Sequence, residues 1–519
     1  MAQQKSEDRV VPEGGVMPVE RAGSSTGGQG KAVPVEETAV QLGLPIATAE
    51  NPKGTTRRRT RDRLGEIRAG APKAIDKTGT ATPATMEEVA DRLTDALLKV
   101  ASNKGAPGPD GQTIEALLEQ WLVVLPGLQA DLLQGTYRPG GIRRVFIPKA
   151  GGQRGLGIPD VVDRVVQEAV RQVLEPLWEP TFHPSNHGFR PGRSCHTAIA
   201  EAKTHLEDGY EWCVDLDLEK FFDLVCHQRL TAKLAQRVAD RRLLVLIGRM
   251  LKAKVVLPDG VVVNTEQGVP QGGPLSPLLS NIVLDELDQE LDRRGHRFAR
   301  YADDAKVYVR SERAGQRVMA SLTEFIERRL RLKVNQAKSA VARPEDRHFL
   351  GFRLRVDPHT GTVEVLLSER TKRNAMQKVK QLTPRTWGST LLACVAQINA
   401  WLRGWYGFFG IVSRSEMQAL RKIDAHLRRR LRAIQLRHWK RKRTIARNLI
   451  KLGVKRDSVW RQLYSGRKSW WALSHTHAVD QGLRNAYFAK RGLIFLVDMH
   501  RNASQQVVAP ESPQLALWG

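Results

Sequence analysis

The chain has 519 residues, with 82 Lys and Arg against 55 Asp and Glu and a formal net charge of +27. That excess points to a polyanionic partner, with nucleic acid the commonest, while an anionic membrane surface or an unspecific basic face are the alternatives. The four cysteines, Cys195, Cys213, Cys226 and Cys394, form no C-x-x-C pair, so neither a zinc ribbon nor a disulfide framework is indicated, and their scatter fits a reducing cytoplasm. The N-terminus has no apolar signal region, and no apolar run is expected to span a membrane.

Residues 1–84 are rich in Gly, Pro, Ser, Thr and charge, and read as a disordered extension. The basic run "TTRRRTRDR" within it reads as solvated tail. Order is expected from Thr85, a helix cap with Glu88 three residues on, followed by Val89, Leu93, Leu97 and Leu98 at helical spacing. "GAPGPDGQT" ends that helical stretch. From about 140 to 365, strand-like "EWCVDLDL", "AKVVLPDGVVVN", "FARYADDAKVYVR" and "HFLGFRLRV" alternate with helical "DVVDRVVQEAVRQVLEPLW" and "PLLSNIVLDELDQELDRR". The mixture predicts an α+β domain with a small sheet. Beyond about 370 the chain turns helical, basic and tryptophan-rich.

Two acidic clusters stand out against the basic background. In "FARYADDAKVYVR", apolar strand-like runs flank Asp303 and Asp304, which places the acids at a hairpin tip. Adjacent carboxylates repel unless water, protons or cations intervene. An exposed turn is the ordinary reading, while a magnesium site needs such clustered hard oxygens. In "CVDLDLEKFFDLV", Asp215 and Asp217 alternate with Val214, Leu216 and Leu218 and share a face. If this strand lies beside the hairpin, Asp217 and Asp303 could hold two metal ions for in-line phosphoryl transfer.

"DLDLEKFFD", "QGVPQGGPLSPLLSNIVLDELD" and "YADD", with "GAPGPDG", "GFRPGRS", "LKVNQAKS" and "HFLGF", resemble the ordered motifs of reverse transcriptases. "RGWYGFFG" and "RNAYFAKRGL" resemble the later regions of one branch, the reverse transcriptase/maturases encoded by bacterial group II introns. The resemblance covers about residues 85–500 and implies a right-hand polymerase, with fingers and palm around a small antiparallel sheet followed by an all-α thumb. The expected division is 1–84 as extension, 85–365 as fingers and palm, 366–445 as thumb and maturase domain, and 446–519 as a basic DNA-binding-like region. With no cysteine after Cys394, an HNH endonuclease is not expected, as in the endonuclease-lacking, group IIC-like lineage.

The resemblance also implies roles. Asp217, Leu218, Asp303 and Asp304 are expected at two Mg2+ ions, with Asp217, Asp303 and Asp304 catalytic and Asp215 the alternative to Asp217. Lys149, Arg154, Gln271 and Lys338 are expected around the nucleotide, with Phe222 as a gate against the ribose 2′-hydroxyl or as simple core. Arg190 and Arg193 are expected on the template backbone, with surface salt bridging as the alternative. In "LRKIDAHLRRRLRAIQLRHWKRKRT", Ile423, Leu427, Leu431 and Ile434 form an apolar stripe. Arg428, Arg429, Arg432 and Lys440 beside it are assigned to RNA. Trp401, Trp405, Tyr406, Phe408 and Phe409 read as core in preference to RNA-stacking rings.

The implied function is an RNA-directed DNA polymerase that binds intron RNA, assists splicing and makes cDNA during retrohoming. Its partners would be intron RNA, a DNA target or primer and dNTPs, without a membrane and with a homodimer allowed. The place of action would be the cytoplasm, on the nucleoid when DNA is engaged. A domesticated polymerase in DNA repair or phage defence, and a splicing factor with a vestigial polymerase, are the competing readings.

Overall fold

The computed structural model describes residues 84–149, 152–466 and 469–506. The N-terminal extension, apart from its last residue, lies outside them. Thr85 caps the helix Met86–Asp91, its Oγ1 accepting from Glu88 N at 3.3 Å. The helix breaks at Arg92 and resumes as Leu93–Ser102, which buries Leu93, Ala96, Leu97 and Val100.

One finding departs from expectation here. The helix Ile114–Gln134 is long and apolar enough, by length and composition only, to cross a membrane. Leu117, Trp121, Leu128 and Leu132 on one face are buried in the core, whereas Leu122 and Val123 are exposed.

The strands in chain order are β1 (Ile142–Lys149), β2 (Gly152–Pro159), β3 (Trp212–Leu216), β4 (Val255–Val256), β5 (Val262–Val263), β6 (Arg297–Tyr301), β7 (Asp304–Val309), β8 (Ala340–Ala342), β9 (Phe352–Val356) and β10 (Val363–Leu367). They form a fingers sheet β2-β1-β4-β5, a palm sheet β6-β7-β3-β8 and a hairpin of β9 with β10. The palm sheet is antiparallel as expected. The fingers sheet is mixed, because β1 meets β4 in parallel, Ile142 opposite Val255. Parallel pairing needs a crossover, and the chain between 159 and 255, which carries β3 of the palm, supplies one.

Alternation along the palm strands separates two cores. Val214, Leu216, Phe298 and Val307 face the first, with the helices Val161–Trp178 and Ser276–Arg293. Cys213, Ala299 and Tyr308 face the second, with the helix Cys195–Glu207 and the β9–β10 hairpin. That second core continues into the helices Glu369–Leu382, Leu391–Phe409 and Met417–Trp439. The stripe Ile423, Leu427, Leu431 and Ile434 is buried there. Each such side chain contributes about 1.5–3 kcal/mol of burial. Phe408 and Phe409 are buried too, with Trp405 4.9 Å from Phe409 between ring centres, so this aromatic cluster is core.

The region after 446 shares this core through Leu449, Val459, Leu463, Phe488 and Leu496. Asp424 joins the two parts. Its carboxylate accepts from Leu496 N at 3.1 Å and Val497 N at 3.0 Å at the start of the helix Leu496–Gln506. Burial pushes the Asp424 carboxyl up to about 6 against those bonds. Position 365/366 falls inside β10, and 445/446 falls inside the helix Lys442–Lys451, whose Ile445 and Leu449 face the common core.

Candidate active site and nucleic-acid surface

The pairing of Tyr301 with Asp304 closes β6 and β7 over a two-residue turn, Ala302–Asp303. Ala302 has φ 57°, a conformation that costs a non-glycine residue on the order of 1–2 kcal/mol. Packing holds it there. A Cβ on Gly188 would lie 2.2 Å from Ala302 N, so the glycine of "GFRPGRS" allows the turn to approach. Arg300 secures the turn from beneath. Its Nη1 donates to Ala302 O at 2.7 Å and to Asn281 Oδ1 at 3.2 Å. Its Nε and Nη2 take both oxygens of Asp288 at 2.6 and 2.5 Å, both side chains being wholly buried.

Strand β3 lies against β7, with Asp215 opposite Lys306 and Leu216 opposite Ala305. Asp217 directly follows the last paired residue of β3, and Asp304 directly precedes that residue's partner on β7. Asp217 N donates to Ser339 Oγ at 3.0 Å, and Asn335 N donates to Asp217 O at 2.8 Å, so "VNQAKS" wraps the acid. Lys338 Nζ stands 3.8 Å from Asp217 Oδ1. Burial pushes the Asp303 carboxyl above its ordinary range, and the Asp304 and Asp217 charges push the same way against Arg154. Asp217, Asp303 and Asp304 thus share one electrostatic site.

Asp215 has a different task. It pairs with Lys306 Nζ, and Arg347 reaches its other oxygen at 2.5 Å. Its side chain is 10% exposed against 40% for Asp217. Neutralised by two cations, it is an inner counter-ion, and Asp217 is the acid at the surface of the site. Lys306 also meets Asp304 Oδ1 at 2.9 Å. Burial alone would lower the Lys306 ammonium, but Asp304 and Asp215 outweigh it and keep the group charged. Arg347 Nη2 donates to Lys338 O at 2.5 Å. A chain of contacts therefore runs Asp304, Lys306, Asp215, Arg347, Lys338, Asp217 around the site.

Among the described residues, no group of three or more His, Cys, Asp or Glu stands as a ready metal cage. The donors nonetheless suit a divalent ion. They are hard carboxylate oxygens, and burial, with the Asp304 and Asp217 charges added to it, holds Asp303 above its ordinary range. Leu218 is buried and its side chain has no donor atom, so only its main-chain oxygen could serve there.

On the nucleotide side, Arg154 Nε donates to Gln271 Oε1 at 2.9 Å. Gly157 N donates to Gln271 O at 2.6 Å, and a Cβ on Gly272, at φ 127°, would lie 2.3 Å from Gly157 O. The fold thereby docks "VPQGG" on β2. Phe222 is half-buried, and its carbonyl accepts from Val269 N at 2.6 Å, which ties it to the same loop. The Lys149 side chain lies outside the described residues.

The arginines expected on nucleic acid divide into two groups. Arg193 and Lys440 are exposed, and Arg428, half-buried, donates to Asn485 Oδ1 at 2.6 Å. Arg190 is a correction. Half-buried, with its side chain only 7% exposed, it pairs with Glu179 at 2.9 Å and donates to the carbonyls of His183 and Asn186. Its donors hold the "GFRPGRS" loop, where salt bridging prevails over template contact. Arg432 is a second correction, buried with Nε on Leu483 O at 2.9 Å and an ion pair to Asp480. Arg429 is half-buried over the Trp471 ring, 4.0 Å from its centre.

The sequence reading missed Arg300, Asp288, Asn281, Lys306 and Arg347. A signal existed for two of them, since Arg300 and Lys306 are cations inside apolar strands that flank the acids. Such cations need buried partners.

Residues 147–354 match the family model described as reverse transcriptase (RNA-dependent DNA polymerase), and 372–453 match that of the group II intron maturase-specific domain. Protein YkfC of Escherichia coli (strain K12) is 35% identical over 304 residues, covering 50% of this chain and 80% of that protein. The group II intron-encoded protein LtrA of Lactococcus lactis subsp. cremoris is 36% identical over 192 residues, covering 36% of this chain and 31% of LtrA. A putative COX1/OXI3 intron 2 protein of Saccharomyces cerevisiae is 31% identical over 224 residues, covering 42% of this chain and 26% of that protein. The chain thus spans most of the first relative and less than a third of the other two.

Proposed function

The chain belongs to the group II intron reverse transcriptase–maturase family, and from that premise we propose that it binds its intron RNA, assists splicing and copies RNA into DNA during retrohoming. Its enzymatic class is RNA-directed DNA polymerase. The observation that carries the proposal is the convergence of Asp217, Asp303 and Asp304 where β3 meets the β6–β7 turn. Reverse transcriptases use divalent metals, and Mg2+ is the ion proposed here, held by Asp217, Asp303 and Asp304. When bound, a pair of such ions stabilises the attacking and leaving oxygens of phosphoryl transfer.

The chain's own residues do the rest. Arg300, through Asp288, fixes the turn that carries Asp303. Lys306 holds Asp304, and Lys338 stands at Asp217 on the open side. Arg154 offers its guanidinium to a triphosphate arriving over the fingers hairpin, with Gln271 as its anchor. Phe222 limits the space beside the sugar. Exposed Arg193 and Lys440 supply phosphate contacts.

The test pairs the purified protein with an RNA carrying its flanking intron. Accelerated splicing of that RNA and dNTP incorporation on it support the proposal. Primer extension on RNA with no effect on any intron's splicing would reject the maturase half.

A further inference from the structure

The thumb carries a concentration of positive charge that the polymerase site does not use. Arg429 lies over the Trp471 indole at 4.0 Å, Arg385 approaches the same ring at 5.1 Å and Arg430 at 5.6 Å. Arg429 and Arg430 belong to the helix Met417–Trp439, Arg385 to the loop after the helix Glu369–Leu382, and Trp471 to the short helix Trp470–Leu473. Three guanidinium groups from two segments therefore meet on one ring carried by a third.

An ordinary cation–π contact brings one cation to a ring and leaves its charge to solvent or to a carboxylate. Here, among the described residues, none of the three arginines pairs with an acid. Arg430 is buried and turns its donors inward, to Thr383 Oγ1 at 2.9 Å and Lys380 O at 3.2 Å. Arg429 keeps a buried Nε without a hydrogen-bond partner. Arg385 is exposed. Burial lowers the Arg429 and Arg430 guanidinium groups, and the neighbouring Arg385 charge lowers them further. Burial and the same arginines, with Lys380, lower His426. Like charges gathered this closely raise the energy of the free protein, and a bound anion removes that cost.

We infer that Arg385 and Arg429, backed by Arg430 on the Trp471 face, form a binding site for a backbone phosphate of nucleic acid. The planar forks of arginine suit a phosphodiester, and the ring holds them against one wall. The site also joins the thumb to the segment after 469, so occupancy would fasten the C-terminal region onto the bound strand. The inference rests on the nucleic-acid reading proposed above and adds to it a specific place.

The test uses the full chain and measures affinity against salt for an RNA–DNA hybrid, a single-stranded RNA and a DNA duplex. Variants are Arg385→Gln, Arg429→Gln and the double substitution, each checked by thermal melting. Arg385 is exposed, so its variant is expected to melt with the parent. Loss of one phosphate contact should weaken binding on the order of tenfold and reduce the log–log salt slope by about one. Such a loss for at least one of the three polymers supports the site, and the polymer that loses most identifies the strand. A steep parental slope with the Arg385→Gln and double-variant slopes unchanged on all three overturns the site and leaves the polymerase reading intact. A flat slope for the parent itself overturns both.

Discussion

Replacing Asp288 by Asn is the sharpest test of how the catalytic turn is held. Arg300 and Asp288 are both wholly buried and joined by two short bonds. Asn keeps the shape of the side chain but removes the charge that compensates Arg300. Breaking one partner of a buried pair costs about 3–5 kcal/mol. That is a large share of a domain's ~5–15 kcal/mol. At ~2–4 °C per kcal/mol for a domain of this size, melting should fall by about 6–20 °C. Arg300 Nη1 also donates to Ala302 O in the turn, so polymerisation should decline on warming before the protein unfolds globally. Differential scanning calorimetry and primer extension over a temperature series read both effects. The control is Glu324→Gln, which breaks an exposed pair with Arg328 (59% and 78% exposed) and should change stability by no more than about 0.5 kcal/mol. If Asp288→Asn melts together with that control, the buried pair does not hold the turn.

Three further outcomes follow from the site. Arg190→Gln should lower the melting temperature while leaving the salt slope of RNA binding unchanged; Arg193→Gln should do the reverse, reducing the slope by about one. Phe222→Ala should raise ribonucleotide incorporation relative to deoxyribonucleotide by roughly tenfold or more in single-turnover extension. Burial would raise the Glu201 carboxyl, but bonds from His187, His205 and Ser185 outweigh it and hold the group below its ordinary range. A depressed carboxyl stabilises the fold above the unfolded value of about 4.3 and loses that contribution as pH falls through the folded value. Urea midpoints below about pH 4.3 should therefore drop more steeply for the parent than for Glu201→Gln.

The periodic features were legible in the sequence because period alone sets which face is buried. The apolar stripe from Ile423 to Ile434, the Thr85 cap and the hairpin at Asp303 all lie where spacing placed them. Choosing Asp217 over Asp215 required the resemblance, because the partners of Asp215, Lys306 and Arg347, come from segments distant in sequence. Arg190 and Arg432 misled for the same cause. A cation within a basic motif looks exposed until Glu179 or Asp480 arrives from elsewhere in the chain. The core that Leu449 and Leu496 share with the thumb was not legible, because a change in composition near 445 does not reveal which faces pack together.

The central claim is that Asp303 and Asp217 act together on the growing strand through divalent metal. Primer extension on an RNA template with Mg2+, by the parent, Asp217→Asn and Asp303→Asn, tests it directly, with template affinity measured on the same preparations. Either substitution should reduce extension by several orders of magnitude while RNA binding stays within about twofold. An Asp303→Asn protein that extends at the parental rate would contradict the account.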